Sequence, residues 1–425
     1  MHPILHTIWQ SYHKHILSNF SPNQSIYIAC SGGRDSMCLL YACHLLKLPI
    51  KVIHINHQLQ AVNDDWQTKV EQFCQLHQIP CQTKRLIWQN PSHVNEQNAR
   101  DARYQAFCQL TSPGAIIATG HHAYDQAETV LANFCQGTGI TGLLGMSTFS
   151  TQHAFAKPLH LWRPLLSISR DTISEFVALH QIPYVDDPTN QYQPCHTEDF
   201  DNTNNQRAWL RHEVFPILNL RFHKVSQNIA RTCQNLAKSE QILQEIYQQD
   251  LAFCQTTNSW TMQQQCLNID NLQKLSQARI FQLLHYWVKA KKPFAPNQHI
   301  IEQIYQLILT KNSEQQTIIA WQGIQIRRYQ QTLYRLDANY LAVLAQNLPL
   351  FWHNSNHATD PYQSRNINPG ESFQRLGKSH HERFKKICQA LKIPAWERGF
   401  ASVLQKNGQD FALCFANQCV FLTNF

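Results

Sequence analysis

Glycine is scarce in this chain. Only 13 of its 425 residues are glycine, and eight of them lie between Gly32 and Gly145. No glycine occurs between Gly145 and Gly323, and no proline between Pro216 and Pro293. A stretch without either breaker suits helices. The chain therefore divides into a glycine-punctuated first part, a helical middle and a different C-terminal part. Long hydrophobic runs are also missing. Every apolar run falls far short of the ~20 residues that span a bilayer. The N-terminus, MHPILHTIWQSYHKHIL, mixes His, Gln and Lys into its apolar positions and lacks a signal-peptide core. A soluble cytosolic protein with no membrane partner is expected. Cysteine pairs at metal or redox spacing are absent too: of 14 cysteines, no two stand three apart. That argues against zinc ribbons, thioredoxin-like motifs and cysteine-held clusters. Scattered cysteines of this kind are expected to be reduced and buried.

Hydrophobic residues make up 43% of the chain, enough for real cores. The length suits two to four domains of roughly 100–200 residues each. Lys plus Arg number 36 and Asp plus Glu 28, a formal charge of +8, with 23 His as a pH-dependent reserve. This moderate excess permits a polyanionic partner without requiring one.

The first part alternates between strand and helix patterns. SIYIAC (25–30), IKVIHI (50–55), CQTKRLI (81–87) and AIIATG (115–120) read as strands. Helices are expected from Gly33 to Leu46, around Trp66, Val70, Phe73 and His77, over 95–110, and from Ala123 to Cys135. Such alternation implies an α/β fold with a doubly wound, mainly parallel sheet, which binds ligands at the carboxyl ends of its strands. A long acidic loop follows at 184–205, then a helix in QRAWLRHEVFPIL. In the middle, Val225, Ile229, Leu236, Leu243 and Tyr247 repeat at helical spacing, as do Ile301, Ile304, Tyr305 and Ile308. Short strands are expected at 317–337. The segment 373–398 carries seven Lys or Arg against two Glu, and its KSHHERFKKICQALKIPAW reads as a basic helix ending before Pro394.

The strongest chemical signal is SGGRDS, Ser31 to Ser36, directly after the first strand and before a helix. Gly32 and Gly33 let the backbone approach a ligand without a Cβ. Helix-start N–H groups then point at an anion, and the Ser31 and Ser36 hydroxyls can add hydrogen bonds. Asp35 repels phosphate unless a divalent cation lies between them. The GxxxxGK[ST] pattern is absent, so this is not a Walker loop.

SGGxDS in this position resembles the signature of the PP-loop ATP pyrophosphatases. Further motifs resemble one member family, the tRNA(Ile)-lysidine synthases. VIHINHQLQ (52–60) is similar to their second strand, and NEQNARDARYQAF (95–107) to their E-x-x-AR-x-x-RY helix, matching Glu96, Arg100, Arg103 and Tyr104. TGHHAYDQAETVLANFCQGTGITGLLGM (119–146) resembles HHxDDQxET…RGxGxxGLxGM. RPLL (163–166), DDPTN (186–190), RAWLRHEVFPIL (207–218) and GKSHHERFKKICQALKIPAWER (377–398) complete the series. The chain departs from the pattern at Tyr124, where the family has Asp, at Ala208 for Asn and at Gln136 for Arg.

The resemblance implies three domains: a Rossmann-like PP-loop domain (1–218), a mainly helical domain for substrate and tRNA recognition (219–339), and a small basic α+β C-terminal domain (340–425). It implies that ATP, with Mg²⁺, and L-lysine react with the CAU-anticodon isoleucine tRNA, giving lysidine, AMP and pyrophosphate. Ser31, Gly32, Gly33, Arg34, Asp35 and Ser36 are expected to bind ATP. Asp35, Asp125, Arg100 and His121 are the expected catalytic set, with Asp35 and Asp125 as metal ligands. His121 and His122 stand open as acid–base groups or metal ligands, and either Asp125 or a His can deprotonate the lysine amine. Arg207, Arg211, Lys378, Arg383, Lys385 and Lys386 are the expected tRNA contacts. The oligomeric state stays open, a homodimer included. Three alternatives are a tRNA thiolase, a small-molecule synthetase such as NAD synthetase, and a tRNA-binding protein that binds ATP without turnover.

Overall fold

The computed structural model describes residues 2–59, 62–88, 90, 94, 96–152, 157–185, 206–261, 264–290, 292, 295–310, 317–346, 362–415 and 418–422. Most of the expected acidic loop, from 186 to 205 with its DDPTN motif, lies outside the described residues. Backbone contacts group the chain into two compact units, Met1–Ile242 and Leu243–Phe425.

The first unit runs α1 (Pro3–Tyr12), β1 (Ile26–Ala29), α2 (Arg34–Leu45), β2 (Ile50–Asn56), α3 (Asn63–Leu76), β3 (Cys81–Arg85), α4 (Glu96–Leu110), β4 (Ile116–Ala118) and α5 (Ala123–Cys135). A short α6 (Ile140–Leu143), then β5 (Phe149–Gln152), β6 (Leu159–Trp162) and α7 (Arg170–Leu179) follow. The helical segment after the acidic loop is α8 (Gln206–Trp209), a π-helical turn at Leu210–Val214, and α9 (Phe215–Arg221). The strand order is β3-β2-β1-β4-β6-β5. All neighbours are parallel except β5, which is antiparallel to β6. The chain winds outward from β1 through β2 to β3, then returns to place β4 on the other side of β1. That reversal opens a crevice at the carboxyl ends of β1 and β4.

Both faces of this sheet are covered. Ile4, Ile8, Leu39, Leu40, Trp162 and Phe176 build one core, and Ile53, Tyr104, Phe107, Ile117 and Leu161 the other. In β1, Ile26 and Ile28 enter the first core while Tyr27 and Ala29 flank the second, the two-residue period of a strand. Burial on both faces explains why IYIA is apolar throughout. Each fully buried Ile or Leu contributes about 1.5–3 kcal/mol.

α10 (Val225–Cys254) leads to β7 (Gln255–Thr256), β8 (Gln265–Asn268), α11 (Ile269–Leu272), α12 (Gln277–Lys289), α13 (Gln298–Leu309), β9 (Ile318–Trp321), β10 (Ile324–Tyr329) and β11 (Thr332–Leu336). These strands form an antiparallel sheet of order β7-β8-β11-β10-β9. The middle segment thus packs its expected helices on a five-stranded sheet, two strands more than the pattern at 317–337 announces. β7 and β8, two and four residues long, are too short for alternation to register. Leu283, Leu284, Trp287, Ile301, Ile304 and Ile308 from α12 and α13 pack on Ile326 and Leu333 of the sheet.

The remainder is α14 (Ala338–Gln346), β12 (Tyr362–Asn366), β13 (Ser372–Phe373), β14 (Glu382–Arg383), α15 (Phe384–Ala390), β15 (Ser402–Lys406), β16 (Gln409–Cys414) and β17 (Cys419–Phe421). β12, β15, β16 and β17 form an antiparallel sheet, and β13 pairs with β14 in a hairpin. The expected basic helix is shorter than its pattern. Its first half is the hairpin, because Glu382 accepts from Arg375 Nε at 2.8 Å and Arg383 is still extended. Only α15 is helical. Trp396 packs edge-on to Tyr334 at 5.1 Å, and Arg398 Nη2 donates to the Tyr329 hydroxyl at 3.0 Å. Among the described residues no helix is long and apolar enough to cross a membrane.

Candidate active site

The loop after β1 forms one wall of the crevice. Gly32 has φ +90°, a conformation that costs a side-chain-bearing residue free energy. The loop holds its own shape. Ser36 Oγ donates to the Gly33 carbonyl at 2.9 Å and accepts from the Ser31 amide at 3.2 Å. Ser31 Oγ accepts from the Gly33 amide at 3.3 Å and lies 3.2 Å from Ser36 Oγ. Ser36 is buried, and these bonds tie its hydroxyl into the loop. Gly33 caps α2 without a side-chain acceptor, so the first-turn amides point into the crevice at the positive end of the helix dipole. The Val185 amide donates to the Gly32 carbonyl at 3.0 Å, placing the chain just before the acidic loop against this turn.

The segment after β4 forms the second wall. A Cβ at Gly120 would lie 2.8 Å from the carbonyl carbon and oxygen of Asp35, so only glycine lets the two loops approach this closely. His122 caps α5 reciprocally: its Nδ1 accepts from the Tyr124 amide at 3.1 Å, and Asp125 Oδ2 accepts from the His122 amide at 2.9 Å. With Nδ1 accepting, the ring proton sits on Nε2, which lies 3.6 Å from Asp35 Oδ2. Protonation would add a donor at Nδ1, 3.5 Å from Asp125 Oδ2. Burial pulls the His122 pKa down, but the nearby Asp35 carboxylate and the charge of Asp125 outweigh it and raise the value. Desolvation would lift Asp35, yet His122, Arg34 and Arg170 hold its carboxyl below the usual range. His121 behaves oppositely. Burial lowers its pKa to about 4 against the pull of Asp125, and its Nδ1 lies 2.7 Å from Thr119 Oγ1. It is neutral at neutral pH.

Between these walls lies a cavity of about 440 Å³. Ile53, Ile55, Trp66 and Phe107 give it an apolar side, and Arg34, Asp35, Arg103, Arg170 and Arg211 a charged one. Ser31, Gly33, Arg34, Asp35, Ser36, His121 and Asp125 all line it, so the structure brings most of the expected residues together. Arg100 is not on the wall. The cavity takes Arg103 instead, while the Arg100 guanidinium lies 5.3 Å from the centre of the Tyr104 ring. Among the lining residues that escaped the sequence reading are His57, Trp66 as a wall residue, and Arg170. His57 follows β2 at the same sheet edge, a position its motif could have signalled; burial lowers its pKa to about 4.

Arg211, an expected tRNA contact, lies at the cavity wall. Its Nε donates to Glu128 Oε1 at 2.8 Å and its Nη2 to Glu128 Oε2 at 3.1 Å. The buried carboxylate of Glu128 thus fixes the guanidinium at the cavity wall. Tyr124 adds a hydroxyl bond to the Arg211 carbonyl at 3.2 Å and packs on Phe215 at 4.8 Å. Arg207 is exposed in the first unit. Lys378, Arg383, Lys385 and Lys386 are all exposed in the second.

Among the described residues no group of three or more His, Cys, Asp or Glu is arranged to hold a metal. Asp35 and Asp125 both face the cavity, and Asp35 Oδ1 is buried without a hydrogen-bond partner. Two hard oxygen donors fit a Mg²⁺ ion, which binds through one or two carboxylates plus substrate phosphates, and do not make a dedicated cage.

Family models match this chain along most of its length. A PP-loop domain model matches residues 5–218, a TilS substrate binding domain model 267–334, and a TilS substrate C-terminal domain model 363–412. A tRNA(Ile)-lysidine synthase of Psychrobacter sp. (strain PRwf-1) is 37% identical over 337 residues, covering 74% of this chain and 63% of that protein. The match therefore spans just under two thirds of that relative's length. The tRNA(Ile)-lysidine synthase of Acinetobacter baylyi is 34% identical over 342 residues, 79% of this chain and 70% of its own. That of Buchnera aphidicola subsp. Baizongia pistaciae is 29% identical over 416 residues, 90% of each chain.

Proposed function

Because the chain belongs to the PP-loop family of tRNA(Ile)-lysidine synthases, we propose that it joins L-lysine to C2 of the wobble cytidine in the CAU-anticodon isoleucine tRNA, using ATP. The cytidine carbonyl oxygen attacks the α-phosphate, forming an adenylated base and releasing pyrophosphate. The lysine ε-amine then adds to C2, the C–O bond breaks, and AMP leaves with the former carbonyl oxygen. The observation that carries this reading is one cavity holding the α2 amide end, Arg34, Asp35, His122 and Asp125. The amides and Arg34 would take phosphate charge, and the apolar side at Ile53, Ile55 and Phe107 suits the adenine ring. Mg²⁺, held by Asp35 and Asp125, would supply charge neutralisation at the leaving pyrophosphate. Asp125 or one of the two histidines at the cavity, His121 or His122, would accept the amine proton.

An anticodon loop is single-stranded, so its base can turn into a pocket without opening a duplex. Arg207 of the first unit and Lys378, Arg383, Lys385 and Lys386 of the second are the proposed phosphate contacts. The division into 1–218, 219–339 and 340–425 and a cytoplasmic location belong to the same proposal. Release of AMP from ATP, with and without lysine and the CAU-anticodon transcript, tests it. Dependence on both, with lysine retained in the RNA, is expected. AMP release independent of RNA would favour a small-molecule synthetase. Incorporation of sulfur in place of lysine would favour a thiolase. ATP binding without AMP would leave only a binding protein.

A further inference from the structure

Tyr124 and Glu128 lie one turn apart on α5, and both grip the same residue. Glu128 holds the Arg211 guanidinium through two hydrogen bonds, and Tyr124 Oη donates to the Arg211 carbonyl at 3.2 Å. The sequence around Arg211 explains why that carbonyl takes a side-chain donor. Leu210–Val214 is a π-helical turn, so the Phe215 amide donates to Leu210 and not to Arg211. The next candidate is Pro216, which has no N–H. Neither amide that a helix would aim at the Arg211 carbonyl is therefore available. The Tyr124 ring packs on Phe215 at 4.8 Å, which sets its hydroxyl over this spot. Burial, with the charge of Glu128, pushes the hydroxyl pKa up to about 12, so it stays a donor at working pH. The aspartate of the family pattern, ionised, would offer only acceptors here.

We propose that Tyr124 is a positioning residue: it takes the carbonyl that Pro216 leaves without a helical donor, and so fixes Arg211 at the cavity wall as a phosphate-binding group. The two sources of phosphate are ATP and the tRNA backbone, and this inference rests on the proposed function only for the second. Arg211 is anchored twice, through its main chain and through its guanidinium. Loss of the main-chain anchor would let the helical turn shift and blur the guanidinium position, even with Glu128 in place.

The test uses the full-length chain with Tyr124→Phe, Pro216→Ala and the double substitution. Calorimetry reads the ATP dissociation constant without RNA, filter retention reads tRNA binding, and turnover gives kcat. Tyr124→Phe, nearly isosteric, is expected to weaken either ATP or tRNA binding by roughly five- to tenfold while kcat at saturation changes little. Pro216→Ala returns an amide next to the Arg211 carbonyl, so the double variant is expected to recover most of that loss. A shift confined to ATP assigns Arg211 to the nucleotide; a shift confined to tRNA assigns it to the RNA backbone. Unchanged binding of both overturns the proposal. So does the same loss in both Pro216 backgrounds, or a fall in kcat alone, which a purely structural role would give. The ATP arm and the coupling of Tyr124 to Pro216 in thermal unfolding both read out whether or not lysidine is formed.

Discussion

His122 Nε2 lies 3.6 Å from Asp35 Oδ2, and through that contact the two loops of the crevice meet. Asp35 belongs to the loop after β1 and His122 to the segment after β4. On its other edge the same ring lies 3.5 Å from Asp125 Oδ2. One imidazole therefore stands between the two carboxylates expected to serve the metal and the chemistry. Its position also orders α5, because the ring is the helix cap.

This arrangement gives stability a defined pH dependence. The raised pKa of His122 means that its charged contribution is complete below its unfolded value, about 6.5, and is lost as pH rises through the folded value. The depressed pKa of Asp35 works at the other end: its contribution is present above about 4 and lost as pH falls through the folded value. The pair is thus worth most between about pH 4 and 6.5. Asn keeps capping ability at position 122 without the titratable ring. The stability gap between wild type and His122→Asn, read by urea unfolding from pH 5 to 9, is expected to shrink as pH rises. A constant gap would mean that the Asp35 contact carries no charge.

The first unit was legible because its signals are local. IYIA, SGGRDS and the helix start at Arg34 follow one another in the order in which the chain builds the turn, so strand, loop and anion-binding end appear together in the sequence. Residues that meet across the sheet were harder. Arg100 and Arg103 lie one turn apart on α4, and only the three-dimensional packing tells that Arg103 is the one lining the cavity. The pairing of Arg211 with Glu128 could not be read from the sequence, because the two stand 83 positions apart. Nothing local in the sequence shows that the Ser36 hydroxyl turns back to Gly33. In the second unit β7 and β8 were lost among helices for want of length.

Gly120 marks a close approach between the two loops. Its virtual Cβ would meet the Asp35 carbonyl at 2.8 Å and the Ser36 amide at 3.0 Å, both backbone and unable to swing aside. Gly120→Ala is expected to push the loops apart at a cost of about 1–3 kcal/mol. ATP affinity should fall at least tenfold while the rest of the unit stays folded. Calorimetric ATP titration beside circular dichroism checks this. Unaltered affinity would show that the loops need not touch for nucleotide binding.

Lys385 and Lys386 open α15 and are both exposed, so removing them leaves no cavity. Lys385→Ala with Lys386→Ala is expected to leave ATP affinity and thermal stability unchanged and to weaken tRNA binding. If both lysines meet phosphate, the slope of log affinity against log salt should become shallower by roughly one for each. A wild-type slope near zero would remove the whole basic surface from the interface.

Glu397 has an environment unlike any other described carboxylate. It follows Trp396 in the 3₁₀ turn at Ala395–Phe400, is 0% exposed, and neither of its oxygens has a hydrogen-bond partner. Burial alone raises its pKa to about 8. The unfolded chain releases this proton near pH 4.5, whereas the folded chain keeps it until about pH 8. Between those values the folded state binds more protons, so this group makes stability fall as pH rises, by at most about 1.4 kcal/mol per pH unit. Gln at 397 has nearly the same shape and cannot ionise. Glu397→Gln is therefore expected to match wild type near pH 5 and to exceed it increasingly towards pH 8, in chemical denaturation followed by the fluorescence of the tryptophans. Parallel curves for the two proteins would place a cation or a water beside the carboxylate, and its charge would then be compensated in the folded chain.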